Sequence, residues 1–249
     1  MHPVLIRIGP FTIYSYGFFI AAAILLGLAI GMREAKHRGL SHRIVPDLGF
    51  YLILSAIVGA RLLYVLLKPD YFLQHPLDIL QFWKGGLVFI GGAIGAVGAA
   101  VVYLRLHREP FWSWADAFAP GIAAGQAIGR IGCLMAGCCY GETCTLPWAI
   151  SFTNPNSLAP LHMELHPTQI YHSLAGILTL ALLYAIKRRL QGSGQLFGIL
   201  LVCYGALRFA IEFFRGDFRG HLGPLSVTQW VALGVLILGI ALFQMRRRA

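Results

Sequence analysis

The sequence predicts an all-α polytopic integral membrane protein, and three observations carry that prediction. Of 249 residues, 57% are hydrophobic and only 12% charged, with a mean hydropathy of +0.69. A soluble domain of this length has no use for so much apolar surface. The apolar residues also gather into about seven runs, each near the roughly 20 residues that cross about 30 Å of hydrocarbon. Finally, Lys and Arg sit mainly in short clusters between those runs, where they set topology.

The runs fall near 12–32, 47–67, 86–106, 115–136, 168–187, 196–214 and 225–245. Alternate connections carry Arg33, Lys36, Arg38 and Arg43; Arg105 and Arg108; Lys187, Arg188 and Arg189; and Arg246, Arg247 and Arg248. The opposite side has Arg7, Lys68, Lys84, Arg215 and Arg219. Twelve basic residues against five predict an outside N-terminus and a cytoplasmic C-terminus, as an odd number of spans requires. The chain thus reads as a single transmembrane domain, 1–249, with an extracytoplasmic loop at about 137–167. That loop has no Lys or Arg and is longer than ordinary connections, which points to a lid or a docking segment. The N-terminus lacks a basic n-region and a small-residue cleavage site, so no removable signal peptide is expected. A net charge of +10 raises nucleic acid as a partner, but basic residues distributed by loop rather than along one face exclude it.

Three arginines lie inside spans. Arg61, Arg130 and Arg208 each precede the outer end of an outward-running span by seven residues, which places them about 10 Å below it. A guanidinium in hydrocarbon costs about 3 kcal/mol or more, so it needs a partner or a task. Only Asp116 and Glu212 are clearly acidic within the spans, and Glu212, one turn after Arg208, offsets one cation. Snorkelling or structural pairing suits Arg61 best. At least one charge is left for an anion, and a lipid phosphate matches the planar fork of arginine.

Around the arginines the sequence is rich in small residues. Gly121, Gly125 and Gly129 recur every four positions, and Gly91 and Gly95 form a second such face, so spans three and four are expected to pack closely. Tyr14 and Tyr16 open span one, where an interfacial belt is the alternative to a site role. Span five begins after His166, with Pro167 or Thr168 suited to a helix start. Tyr204 leads into Arg208. Cys133, Cys138, Cys139 and Cys144 have a spacing unlike the common C-x2-C zinc patterns, so no metal ligands are expected. A nucleophilic thiol beside Arg130, disulfides near an oxidising face, and small buried packing residues all remain open.

Five segments then occur in one order: Gly59-Ala60-Arg61-Leu62-Leu63-Tyr64, the Gly-Gly-x4-Gly-Gly run at 85–92, Gly129-Arg130-Ile131-Gly132, His166-Pro167-Thr168-Gln169-Ile170-Tyr171, and Tyr204-Gly205-Ala206-Leu207-Arg208 continuing through Glu212 to Arg215. Together they resemble the bacterial prolipoprotein diacylglyceryl transferase family over nearly the whole chain. The resemblance implies a seven-span enzyme of the bacterial inner membrane with its active site toward the outer leaflet. It implies transfer of diacylglyceryl from phosphatidylglycerol to the lipobox cysteine of a preprolipoprotein signal peptide, forming a thioether and releasing glycerol phosphate, with no cofactor. On that reading Arg130 and Arg208 hold the phosphate, with Gly129 and Gly132 allowing close approach and Glu212 orienting Arg208. Tyr16, Tyr204 and Arg61 contribute to binding, and His166 is a candidate base. Two positions depart from the family: Ile90 stands where a histidine is usual, and Cys133 where an asparagine is usual. A catalytically altered lipid-binding homologue and an anion or lipid transporter are the other readings.

Overall fold

A computed structural model describes residues 1–9, 11–217 and 220–248, so Arg219 lies outside the described residues. After a short hairpin of β1 (Val4–Ile8) and β2 (Phe11–Tyr14), the helices are α1 (Ser15–His37), α2 (Val45–Leu67), α3 (Pro69–Gln74), α4 (Phe89–Leu106), α5 (Phe111–Ala136), α6 (Thr168–Ile186), α7 (Gln195–Glu212) and α8 (Val227–Arg248). Strands β3 (His221–Leu222) and β4 (Leu225–Ser226) form a small hairpin before α8. The chain divides into two compact units, residues 1–34 with 115–249, and residues 35–114.

Among the described residues six stretches are long and apolar enough to cross a membrane; they hold α1, α2, α4, α6, α7 and α8. The protein is a polytopic membrane protein. The predicted fourth span corresponds to α5, at 26 residues the longest helix, which is not among those six. Its composition explains why: Ala, Gly, Ser and Gln replace large apolar side chains, and Ala117, Ala119 and Ala123 are fully buried. A helix surrounded by protein needs small faces rather than a lipid-facing one.

In the first unit the α5 stripe packs on α1. A Cβ added to Gly121 would overlap the carbonyl of Gly27, one at Gly125 would lie 3.2 Å from the Ala23 oxygen, and one at Gly132 would lie 3.0 Å from the Phe19 Cβ. On another side α5 meets α6, where Gly176 faces Ala123 and Ala127 and Ser173 donates to the Ala127 carbonyl at 2.8 Å. Helices α7 and α8 approach through Gly198, Gly205 and Gly239. Asp116 fastens the start of α7 to α5: its two carboxylate oxygens accept the Gly194 and Phe197 amides, each at 2.8 Å. Those are orphan donors of a helix N-terminus, served by a side chain from another helix. Near the C-terminal end of α1, buried Glu34 pairs with Lys187 at 2.7 Å.

In the second unit the Gly91/Gly95 face packs on α2. Gly91 meets Gly59, and Gly95 meets Ser55 and Gly59, so closely that added side chains would overlap backbone. The glycine faces of spans three and four thus each take a partner within their own unit, α2 for α4 and α1 for α5, because a bare stripe is satisfied by whichever backbone the topology brings alongside.

Candidate active site

The site of the first unit starts from how α5 stops. The Cys138 amide donates to the Cys133 carbonyl at 3.1 Å and the Gly137 amide to the Leu134 carbonyl at 3.3 Å. That pair of bonds is a Schellman cap, with Gly137 at φ +77° in the left-handed position. A side chain at Gly137 would also overlap Ser157. In this cap the residues at the positions of Cys133 and Cys138 commonly touch. Cys139 follows at φ +63°, a left-handed conformation uncommon outside glycine. The result is that the sulfurs of Cys133, Cys138 and Cys139 all lie within 4.8 Å of one another. All five cysteines are free thiols.

The start of α6 holds this turn. Thr168 and Gln169 are fully buried, and their side chains donate to the carbonyls of Cys139 at 2.6 Å and Cys138 at 2.8 Å. Gly141 then threads between His166 and Phe214, where a Cβ would lie 2.6 Å from either carbonyl oxygen. The same crossing sets Arg215 against the turn: the Gly216 amide donates to the Tyr140 carbonyl at 3.2 Å.

Each guanidinium of this unit has distinct surroundings. Arg208 is buried, with Nη1 2.6 Å from Glu212 Oε2 and 3.2 Å from His172 Nε2. Because arginine cannot accept, His172 Nε2 must, which makes that imidazole neutral. Glu212 is fixed in turn by the Ser226 hydroxyl, which donates to Oε1 at 3.1 Å. Ser226 heads α8 in a capping box: its Oγ accepts the Gln229 amide at 3.1 Å, and Gln229 Oε1 accepts the Ser226 amide at 2.9 Å. Arg215 is buried and gripped by Asp217 at 2.8 and 2.7 Å, while its Nη1 has no hydrogen-bond partner among the described residues. The neighbouring Cys133 and Cys138 thiols, then the Arg215 guanidinium, hold the Cys139 thiol below its ordinary range. Arg130 is half-buried one turn before the triad, within electrostatic reach of Cys133, Tyr16 and His172. Among the described residues it makes no hydrogen bond or ion pair.

The predicted residues divide accordingly. Arg130, Arg208, Glu212, Gly129, Gly132 and Tyr16 belong to one neighbourhood, with the Tyr16 backbone seated on Gly132. Tyr204 lies one turn before Arg208, half-buried. Arg61 belongs to the second unit, where its donors go to the carbonyls of Ile79, Asp78, Gly85 and Gly86, and the rings of Tyr64 and Phe72 cover it. Four carbonyls satisfy its charge, the structural pairing that suits Arg61 best, and give it a loop-organising place. His166 Nδ1 lies 3.1 Å from the Tyr171 hydroxyl, which accepts from Trp148 Nε1 at 2.8 Å. A hydroxyl both donates and accepts, so in either tautomer this contact ties His166 Nδ1 to Tyr171. Sequence reasoning missed His172, although it lies one turn after Thr168 on the face that buries Ala175, Gly176 and Thr179. It also counted Arg215 only as a loop charge. The five-residue spacing of Cys133 and Cys138 around Gly137 was the available signal for the thiol cluster.

A profile of the family described as prolipoprotein diacylglyceryl transferase matches residues 3–245. The chain belongs to that family. It is 34% identical over 247 residues to the phosphatidylglycerol–prolipoprotein diacylglyceryl transferase of Clostridium tetani, covering 99% of this chain and 98% of that one. It is 38% identical to the protein of the same name from Trichormus variabilis, with 96% and 87% covered, and 35% identical to that of Bordetella avium, with 99% and 95% covered. Matching over whole lengths places Arg130, the thiol turn and the Arg208–Glu212 pair inside the shared region.

Proposed function

We propose that this protein transfers the diacylglyceryl group of phosphatidylglycerol to the cysteine thiol of a lipobox in a preprolipoprotein signal peptide, releasing glycerol phosphate. The observation that carries the proposal is Arg130, a guanidinium inside a helix that has no acceptor among the described residues while Arg208 and Arg215 have theirs. A membrane-embedded cation of that kind calls for an anion, and a phospholipid phosphate is the anion available at that depth. Its relatives' names supply the substrates.

In the reaction the acceptor sulfur attacks the glycerol carbon that bears the phosphate. A C–S bond forms, the C–O bond breaks, and the electron pair leaves on the phosphate oxygen while the thiol proton is lost. The departing monoester gains negative charge, which aimed guanidinium donors stabilise in a dry site. Arg130 does this directly. Arg208, oriented by Glu212 and the α8 capping box, supports it. The seven-span arrangement, the outside N-terminus and a site facing the outer leaflet of the bacterial inner membrane belong to the same reading, supported by the twelve-to-five division of basic residues.

Purified protein incubated with phosphatidylglycerol vesicles and a lipobox peptide tests it. Peptide carrying a thioether-linked diacylglyceryl, with an equal amount of glycerol phosphate, is the expected result. Folded protein that binds the lipid and yields neither product overturns it.

A further inference from the structure

We propose that Cys133, Cys138 and Cys139 form a three-thiolate zinc site, whose fourth position takes the thiol of the acceptor peptide. The role given to the fourth position rests on the transferase reading above; the metal site itself does not.

Three soft ligands converge on one point. Zinc bound to three sulfurs at about 2.3 Å holds them about 3.8 Å apart, so a cluster already within 4.8 Å closes by side-chain rotation and a small adjustment. The frame that brings them together does not depend on the sulfurs. It consists of the Schellman cap at Gly137 and the bonds from Thr168 and Gln169 to the Cys139 and Cys138 carbonyls. Cys139 occupies a left-handed φ that glycine would take at no cost, and strain retained at a side-chain-bearing residue points to use of that side chain. Simple packing of small residues explains neither the strain nor the convergence.

The electrostatics fit as well. Zinc with three thiolates carries one net negative charge, and the Arg215 and Arg130 guanidiniums lie within electrostatic reach of Cys139 and Cys133. Neighbouring cations of this kind favour the thiolate form. Three protein ligands and one open position are the pattern of a catalytic rather than a structural zinc.

The site also answers a chemical need. The acceptor thiol must lose its proton, yet His172 Nε2 is taken by Arg208 and His166 Nδ1 faces Tyr171. A thiol that coordinates zinc is deprotonated outright. Its proton leaves to solvent on coordination, the bound sulfur forms the C–S bond, and the C–O electron pair departs with the phosphate held by Arg130. Zinc stays divalent throughout, so no oxidant or reductant enters.

Metal content of the detergent-purified, thiol-reduced protein after loading with zinc and gel filtration tests the site. One zinc per chain is expected, and cobalt in its place should show a sulfur-to-cobalt charge-transfer band. Cys133→Ser, Cys138→Ser and Cys139→Ser should each weaken binding by more than the roughly 10–100-fold that loss of an outer-shell partner costs. Cys144→Ser and Cys203→Ser should bind as wild type. Chelation should lower the transfer rate at least about tenfold, restored by added zinc. Protein that transfers normally but retains no zinc overturns the site and leaves the transferase reading standing. Zinc retained through the three cysteines with transfer unchanged on its removal overturns the thiol-activating role. Zinc retained with no transfer under any loading supports the site and defeats the transferase reading.

Discussion

Arg208 touches Glu212 and His172, Arg215 is gripped by Asp217, and Arg130 has no acceptor among the described residues. These surroundings assign different consequences to removing each one. Arg130→Ala deletes a donor that acts on the departing phosphate, so transfer should fall about 10²–10³-fold, as for loss of one preorganised donor. Its thermal midpoint in detergent should stay near wild type, because no internal partner is orphaned. Glu212→Ala does the reverse. It strands the buried Arg208 charge, a change worth about 3–5 kcal/mol, and should lower the midpoint strongly. Ser226→Ala removes one capping bond and the hydroxyl on Glu212 and should cost about 1 kcal/mol, between wild type and Glu212→Ala in the same melts. Arg208→Lys should support little transfer, since a lone ammonium occupied by Glu212 and His172, as Nη1 is, lacks the further planar donors of a guanidinium.

At the scale of elements, the glycine stripes were legible in the sequence and their partners were not. Spacing by four marks a face along which another backbone can lie, but the partner depends on how connections return the chain. Gly91 lies against Gly59 and Gly121 against Gly27, pairings far apart in sequence. Gly91→Ala puts a Cβ into the Gly59 carbonyl and should destabilise by about 1–3 kcal/mol. Gly98→Ala, on the same helix with nothing within 4 Å, should be neutral or slightly stabilising. Thermal melts of the two variants side by side separate a packing effect from a general effect of glycine replacement. The thiol turn was similarly half legible. A zinc pattern sought by C-x2-C spacing overlooks ligands gathered by a helix cap, where Cys133 and Cys138 meet across Gly137 and Thr168 and Gln169 of another helix hold the turn.

For the whole molecule, composition alone established the membrane class, and the order of five motifs led to the family that whole-length similarity then established. What composition could not give was the character of α5, whose small residues suit burial among other helices rather than lipid. The position of Arg61 resembles that of Arg130, since both are span arginines followed after seven residues by the helix end, and the sequence favoured structural pairing for Arg61 without naming its partners. Only the carbonyls around Arg61 distinguish a loop clamp from a binding cation. The basic-residue asymmetry predicts that a fluorescent protein fused after α8 lights up in the cytoplasm and that alkaline phosphatase fused there stays inactive; active phosphatase would reverse the topology.

The central claim is that Arg130 takes the phosphate of the lipid donor in the transition state. Its most direct test is single-turnover transfer from phosphatidylglycerol to a lipobox peptide by wild type, Arg130→Lys and Arg130→Ala, each first shown to melt like wild type. The account predicts full activity, partial activity and a loss of about 10²–10³-fold, in that order. Equal rates for wild type and Arg130→Ala would contradict it.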